Sequence, residues 1–263
     1  MLPLALLCAL LPAASSAEVE AIPGARLTPL LPADPLETSN ALSFRSGEPK
    51  LEGVVGDTAG LLRIEAGAVA LQLELGAAIF LGFLPGDEFT FGIATVDGLI
   101  RVPVSMAWGD ARLALEWTHI SAHYADGVRY DDQLPENTQG YSREHLRLLA
   151  AWDLPWVQPY LCVRQLVHSM PAVPGFGVQT GFEAHGQRRL TWYQALDLAW
   201  AADTAWDTRA SYQGGMLLQR PEGQALRGGL IAFRGPALAG KRGGEHDAYI
   251  GAVLGFDWHG GWN

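Results

Sequence analysis

The sequence predicts an all-β protein, an antiparallel transmembrane β-barrel of about 10–12 strands with a narrow polar lumen. Apolar residues recur at every second position over much of the chain, in segments of about ten to thirteen residues separated alternately by short turns and longer loops. Strands of soluble sandwiches usually have about five or six residues, whereas a tilted strand that crosses a bilayer needs about ten. Trp108, Trp152 and Trp156 lie beside short turns, where an aromatic girdle belongs. A soluble sandwich with one buried apolar face is the alternative architecture.

The composition excludes several other classes of protein. The chain has 263 residues, with 18 Lys and Arg against 28 Asp and Glu, and this formal net charge of −10 argues against a nucleic-acid partner. Its hydrophobic share of 49% is too high for a disordered chain. Two cysteines are too few for a disulfide scaffold and lack the spacing of a zinc site. We expect no cofactor.

The N-terminal part of the chain divides into two segments. Residues 1–17 carry no charged side chain, and their apolar run is followed by small residues that end at Ala17. This pattern predicts a secretory signal peptide over 1–17. Residues 18–59 contain several prolines and no clear period, which predicts an extended lead-in. The barrel is then assigned to 60–263, and export of such a barrel indicates the outer membrane.

The alternation assigns the two faces of each strand. In residues 69–83 the odd positions are apolar, and Gln72 and Glu74 lie on the other face. In residues 157–168 the same rule places His168 on the polar face, toward the lumen. No apolar stretch after the N-terminal segment approaches the roughly 20 residues of a membrane helix. The period of two also covers 97–108, 176–185, 190–203, 207–219 and 247–258.

Ionisable residues occupy the polar faces, which we place in the lumen. In a barrel this small we expect them to neutralise one another and to fill the interior. A narrow solute or ion pore lined by these charges is the alternative. The lumen charges are Arg143, Arg147, Arg164, Glu183, Asp197 and Arg209.

The densest polar chemistry lies on two strands that flank the long loop 125–140. Strict alternation points His119, Ser121 and His123 outward on the first strand, and it points Glu144 outward on the second. A simple hairpin register sets Ser121 opposite Glu144, which brings His119, Ser121 and Glu144 together just below the loop. A serine, a histidine and a carboxylate within reach of one another are the nucleophile, base and orienting acid of a serine hydrolase.

Two other interpretations of this cluster stay open. His119 and His123 would be about 13 Å apart on a strand, at roughly 3.3 Å per residue, which is too far to share one metal ion unless the strand bends. We therefore predict no metal. The polar groups can instead satisfy one another and anchor the loop, and this structural role is the interpretation we favour. The other members of the polar cluster are His123, Asp126, Tyr141, Ser142 and Arg143.

The motif His-x-Ser-x-His-x-x-Asp at 119–126, followed by Tyr-Ser-Arg-Glu at 141–144, resembles a family of bacterial outer-membrane barrels catalogued as domain of unknown function 1207. The usual motif of that family reads His-x-Ser-Ser-His-Leu-Gly-Asp-Glu. The resemblance covers roughly residues 60–258 and implies a barrel in the bacterial outer membrane, without an activity. The departures from the usual motif are Ala122, Tyr124, Ala125 and Gly127.

A second, weaker resemblance is to the lipid A 3-O-deacylases, small barrels with a His-x-Ser-Asn motif and a downstream Glu on the lipid-facing side. It implies that Ser121 is the nucleophile, His119 the base and Glu144 the orienting acid. Ala122 stands where that family has Asn, so an amide that would stabilise an oxyanion is missing.

Together these patterns predict an outer-membrane barrel with a structural or interaction role and membrane lipid as its partner. The lipid can include lipopolysaccharide, and protein partners stay open. A lipid-modifying serine hydrolase and a narrow solute pore are the alternatives.

Overall fold

The computed structural model describes residues 17–47, 50–85, 91–125, 141–220, 223–237 and 246–258. Within these ranges the chain forms β-strands, a short 3-10 turn at Ala202–Thr204 and no α-helix, so none of the described segments is a helix that could cross a membrane. The strands are β1 (Glu18–Gly24), β2 (Asn40–Arg45), β3 (Leu51–Ala66), β4 (Val69–Pro85), β5 (Phe91–Trp108), β6 (Ala111–Tyr124), β7 (Tyr141–Trp152), β8 (Val157–Met170), β9 (Phe176–His185), β10 (Leu190–Ala201), β11 (Arg209–Gln219), β12 (Ala225–Pro236) and β13 (His246–Asp257).

Twelve strands, β2 to β13, close into a ring. Each strand from β3 to β13 pairs antiparallel with its neighbour in sequence, and β13 pairs with β2 to complete the circle. A closed ring leaves none of its strands as an unpaired edge. The prediction of an all-β antiparallel barrel of about 10–12 strands is therefore confirmed, at the upper end of the range.

The two faces of the wall differ as the alternation predicted. On β4 the outward side chains of Leu73 and Leu75 are exposed, whereas Gln72 and Glu74 are buried in the lumen. The same arrangement runs around the ring. A sandwich would bury the apolar face against a second sheet, so that alternative is wrong for this chain.

β1 and β2 occupy two halves of one strand position. β1 pairs with residues 60–65 of β3, and β2 pairs with residues 51–54 of the same strand. Between them the chain leaves the sheet and enters the lumen, where residues 26–34 and 37–39 are all buried. We call residues 26–39 the plug.

The plug and the early strands differ from the lead-in predicted over 18–59. Regular strands already occur there, and the barrel wall begins with β2 rather than at residue 60. The plug shows no period in the sequence because its side chains contact the lumen wall in several directions instead of sorting into two faces. The signal peptide predicted over 1–17 lies outside the described residues, apart from Ala17.

The buried carboxylate of Glu37 pairs with one arginine in the plug and with another on the wall. Glu37 Oε1 lies 3.1 Å from Arg26 Nη1 in the plug and 3.2 Å from Arg101 Nη1 on β5. Glu37 Oε2 accepts a hydrogen bond of 2.9 Å from the backbone N–H of Leu31. Since two guanidinium groups converge on a single carboxylate, Glu37 neutralises charge on both the plug and the wall.

The wall also satisfies the backbone of the plug. Glu74, which is fully buried on β4, accepts hydrogen bonds from the backbone N–H groups of Leu27 and Thr28 at 2.6 and 2.9 Å. At the other end of the plug, Arg227 Nη2 on β12 donates to Ser39 Oγ at 3.1 Å. The plug has no strand of its own, and these side chains replace the partners that a sheet would supply.

We expect Glu37→Ala to lower the free energy of unfolding by about 3–5 kcal/mol, because it leaves the guanidinium groups of Arg26 and Arg101 buried without their shared carboxylate. Urea-induced unfolding of the refolded barrel measures the loss. Glu65→Ala is the matched control, since Glu65 pairs with Arg63 at 3.8 Å with its side chain half exposed, and we expect it to cost less than about 1 kcal/mol. Equal losses in the two variants would contradict the role of the plug.

Candidate functional site

The outward face of β6 and β7 carries the predicted cluster near the long-loop end of the barrel. His119, Ser121 and His123 point outward on β6, and Glu144 points outward on β7, as the alternation predicted. His119 Nδ1 lies 3.4 Å from Glu144 Oε1, and each side chain is about one-third exposed. The structure therefore brings the predicted base and orienting acid into contact.

The register of the two strands differs from the prediction. His119 is opposite Glu144, and Ser121 is opposite Ser142, so the expectation that Ser121 faces Glu144 is wrong by two residues. The simple hairpin rule fails because the connection between β6 and β7 is a long loop, and only tight turns fix a register through their own geometry.

Ser121 lies apart from the His119–Glu144 pair. It is two residues further along β6, a step of about 6–7 Å, and no hydrogen bond joins it to either residue. The His119 ring stacks on Trp117, with ring centroids 6.2 Å apart. On the other side of Ser121 stands Gly98 of β5, which has no side chain to cover the hydroxyl. The nucleophile of the predicted hydrolase is accessible, but it is not hydrogen-bonded to its base in this structure.

His168, which the sequence predicted to face the lumen, instead joins this outward cluster. The register between β7 and β8 shifts just before His145, and this irregularity sets His168 opposite Glu144. The exposed His168 thus lies in one row with Glu144 and His119 across three adjacent strands. A bulge inserts one residue and reverses the alternation beyond it, and the pattern of apolar residues does not reveal it. Among the described residues, no three His, Cys, Asp or Glu side chains converge to hold a metal ion.

The remaining motif residues divide between the two faces of the wall. His123 is exposed and opposite Val96, and Ser142 lies on the same outward face. Tyr141 and Arg143 point into the lumen, where the Arg143 guanidinium lies 4.4 Å from the centre of the Tyr141 ring. Asp126 lies outside the described residues.

The lumen charges meet partners on the wall and on the plug. Arg147 donates hydrogen bonds to Glu116 at 2.8 Å and to Asp34 at 3.2 Å. Arg209 donates to Asp197 at 3.3 Å. Asp34 could not be predicted as a lumen residue, because nothing in a segment without periodicity indicates that the segment enters the lumen.

Two further lumen residues have weaker contacts. Arg164 forms a long ion pair of 3.9 Å with Asp203. Glu183 is buried, and its Oε1 has no hydrogen-bond partner among the described residues. The predicted mutual neutralisation is thus visible for Arg147, Asp197 and Arg209, with the plug as an additional partner.

The plug carboxylates stay ionised far below neutral pH. Burial alone would raise the pKa of Asp34, but the guanidinium groups of Arg147 and Arg209 outweigh it and lower this pKa to about 2. The pKa of Glu37 is also lowered, because Arg26 and Arg101 outweigh the effect of its burial. Attraction between charges therefore holds the plug in place at neutral pH.

Acid is expected to weaken this attachment. The Asp34 pKa of about 2 lies below its ordinary value of 3.8, so its contribution to stability is present above about pH 4 and is lost as the pH falls toward 2. We expect Asp34→Asn to flatten the fall in unfolding free energy over this window, measured by urea unfolding at several pH values. Identical pH profiles for the variant and the parent chain would contradict the lowered pKa.

Among known proteins, a solved structure shows a distant likeness to this chain. No family model and no curated protein matches the chain. The solved structure of CdiB from Acinetobacter baumannii is similar over 91% of this chain, with 10% sequence identity and a TM-score of 0.29. The match covers 65% of that protein's chain, so the present chain spans less than two thirds of its length.

Proposed function

We propose that the protein is an outer-membrane β-barrel, closed by its own plug, with a structural or interaction role. The observation that carries the proposal is the inverted distribution of polarity: the outward face of the ring is apolar, and the charges lie inside. Leu230 and Ile250, for example, expose 67% and 69% of their surface on the outward face. Water-soluble monomers rarely expose apolar patches larger than a few hundred Å2, whereas a bilayer matches such a face.

The two ends of the barrel differ in a way that supports a membrane location and gives the barrel an orientation in it. One end has connections of two to five residues, and the other has connections of five to sixteen. Trp108, Trp152, Trp156 and Trp258 are all exposed at the short-turn end, where a girdle of aromatic side chains would meet the lipid headgroups. In bacterial barrels the short turns face the periplasm, so the rim with His119 and Glu144 would face the outer leaflet.

The lumen favours a closed barrel over the solute pore predicted as an alternative. Plug residues pair with charges on separate strands of the wall, as Asp34 does with Arg147 on β7 and Arg209 on β11. An open pore would leave such charges to water along its length. Loops on the outer side are then the surface that other molecules would meet.

A charge on the lipid-facing wall provides the test. We expect Leu230→Arg, at the middle of β12, to lower the unfolding free energy in lipid vesicles by about 2–4 kcal/mol. Leu154→Arg, at an exposed position in a short turn, is the matched control, and it should cost roughly 0–1 kcal/mol because it lies near the interface. Equal tolerance of both charges, or a purified chain that stays monodisperse without detergent, would remove the membrane proposal.

The second candidate function is a lipid-modifying serine hydrolase at the outer leaflet, and the His119–Glu144 contact favours it. In this reaction Ser121 Oγ attacks an ester carbonyl of a membrane lipid, such as lipopolysaccharide, while its proton passes to His119. The ester bond breaks, the alcohol leaves with that proton, and water later releases the acid from Ser121. Ser121 and His119 must first approach each other, since they share one face without a hydrogen bond.

If the hydrolase is correct, expression of the folded protein will produce deacylated lipid, and Ser121→Ala will abolish the product while the barrel remains folded. Ser142→Ala is the control, because Ser142 lies opposite Ser121 on the same face but away from His119. Mass spectrometry of extracted lipid A and phospholipids gives the readout. Unchanged lipid profiles with the folded parent chain would leave only the structural role.

A further inference from the structure

The lumen contains a cavity between the plug and the long-loop end of the barrel. Leu36 of the plug lines it from below, and Arg143, Arg164 and Arg209 line it from β7, β8 and β11. His145 also contributes to the wall. The cavity has a volume of about 80 Å3, which is more than one water molecule occupies.

Hydrogen-bond donors in this cavity outnumber their partners. The Nε atoms of Arg143 and Arg209 are buried and have no hydrogen-bond partner within the described part of the chain. Arg164 forms no hydrogen bond to any described residue, and its ion pair with Asp203 is 3.9 Å long. His145 is buried beside these guanidinium groups. Each unpartnered donor in such a site is costly, and an acceptor that enters the cavity would remove the cost.

The carboxylates nearby do not supply that acceptor. Asp197 and Asp34 both lie beside the same nitrogen, Nη2 of Arg209, and leave its Nε free. Asp207 lines the cavity but lies 2.9 Å from His246 Nε2 and accepts the backbone N–H of Thr208. The three guanidinium groups at the cavity are therefore only partly paired. Arg209 is paired through Nη2 alone, and Arg164 has only its long ion pair with Asp203. Arg143 donates through Nη1 to the backbone oxygens of Ser142, Met170 and Pro171, and its Nε has no partner among the described residues.

We propose that this cavity binds a small oxyanion, a solute that carries a carboxylate or a phosphate group. The planar guanidinium fork matches the oxygens of both groups and donates charge-assisted hydrogen bonds to them. The anion comes from the aqueous side and not from lipid, because Arg143, Arg164 and Arg209 point into the lumen. This binding site is independent of the hydrolase cluster, which lies on the outward face.

Isothermal titration of the refolded full-length chain in detergent, at constant ionic strength, tests the site. Inorganic phosphate and acetate are the two probes, and we expect saturable binding of at least one of them. Binding of phosphate alone assigns phosphate-bearing solutes, binding of acetate alone assigns carboxylates, and binding of both assigns the shared oxyanion chemistry. Absence of saturable binding of either probe to the folded chain overturns the proposal.

Variants separate the site from general attraction of anions. We expect Arg164→Gln and Arg143→Gln each to weaken binding by about tenfold or more, because each removes charge-assisted donors. Arg234→Gln is the matched control, since Arg234 is exposed on the outward face of β12, and it should leave the affinity unchanged. Parental affinity in folded Arg164→Gln and Arg143→Gln would refute the site. A rise in the unfolding temperature of the parent chain with the bound probe needs no variant and gives a second readout.

Discussion

The pairing of opposite charges inside the barrel is the constraint on which the rest of the structure depends. An eight-stranded barrel is just filled by the side chains of its own wall, and a ring of twelve strands encloses more space. Here the plug occupies that space and brings Asp34 and Glu37 to arginines on the wall. Because an unpaired buried charge is unstable, the wall and the plug each depend on the other for neutrality.

The plug also explains why the lumen is not uniform along its axis. On one side its carboxylates are fully engaged, as Glu37 is with Arg26 and Arg101. Toward the long loops the Nε atoms of Arg143 and Arg209 have no hydrogen-bond partner among the described residues, and Arg164 has only a long ion pair. These donors define the proposed anion site. A barrel closed by its plug can therefore still offer a binding site to molecules that reach its long-loop end.

On the outward face, the distance between Ser121 and His119 decides between the two proposed functions. His119 and Glu144 form the contact that a serine hydrolase needs, and His168 extends their row to a third strand. The structural role and the hydrolase differ in whether Ser121 can reach His119. Ser121 lies beside Gly98, which has no side chain, and it is only two residues from His119 on the same strand. Side-chain rotation and local bending of the strand would therefore bring the two residues together.

The sequence by itself determined the barrel and the outward direction of His119, Ser121 and Glu144. Alternation is a local property, since each residue in a strand faces one of two media and its polarity reports which one. Only the tertiary structure decided that Ser121 faces Ser142, that His168 joins the outward row and that residues 26–39 fill the lumen. These features depend on a register across a long loop, on an irregularity in strand pairing and on charges that are distant along the chain, such as Asp34 and Arg147. The register, the irregularity and the charge pairs are all set when the ring closes, and no local pattern of residues encodes that closure.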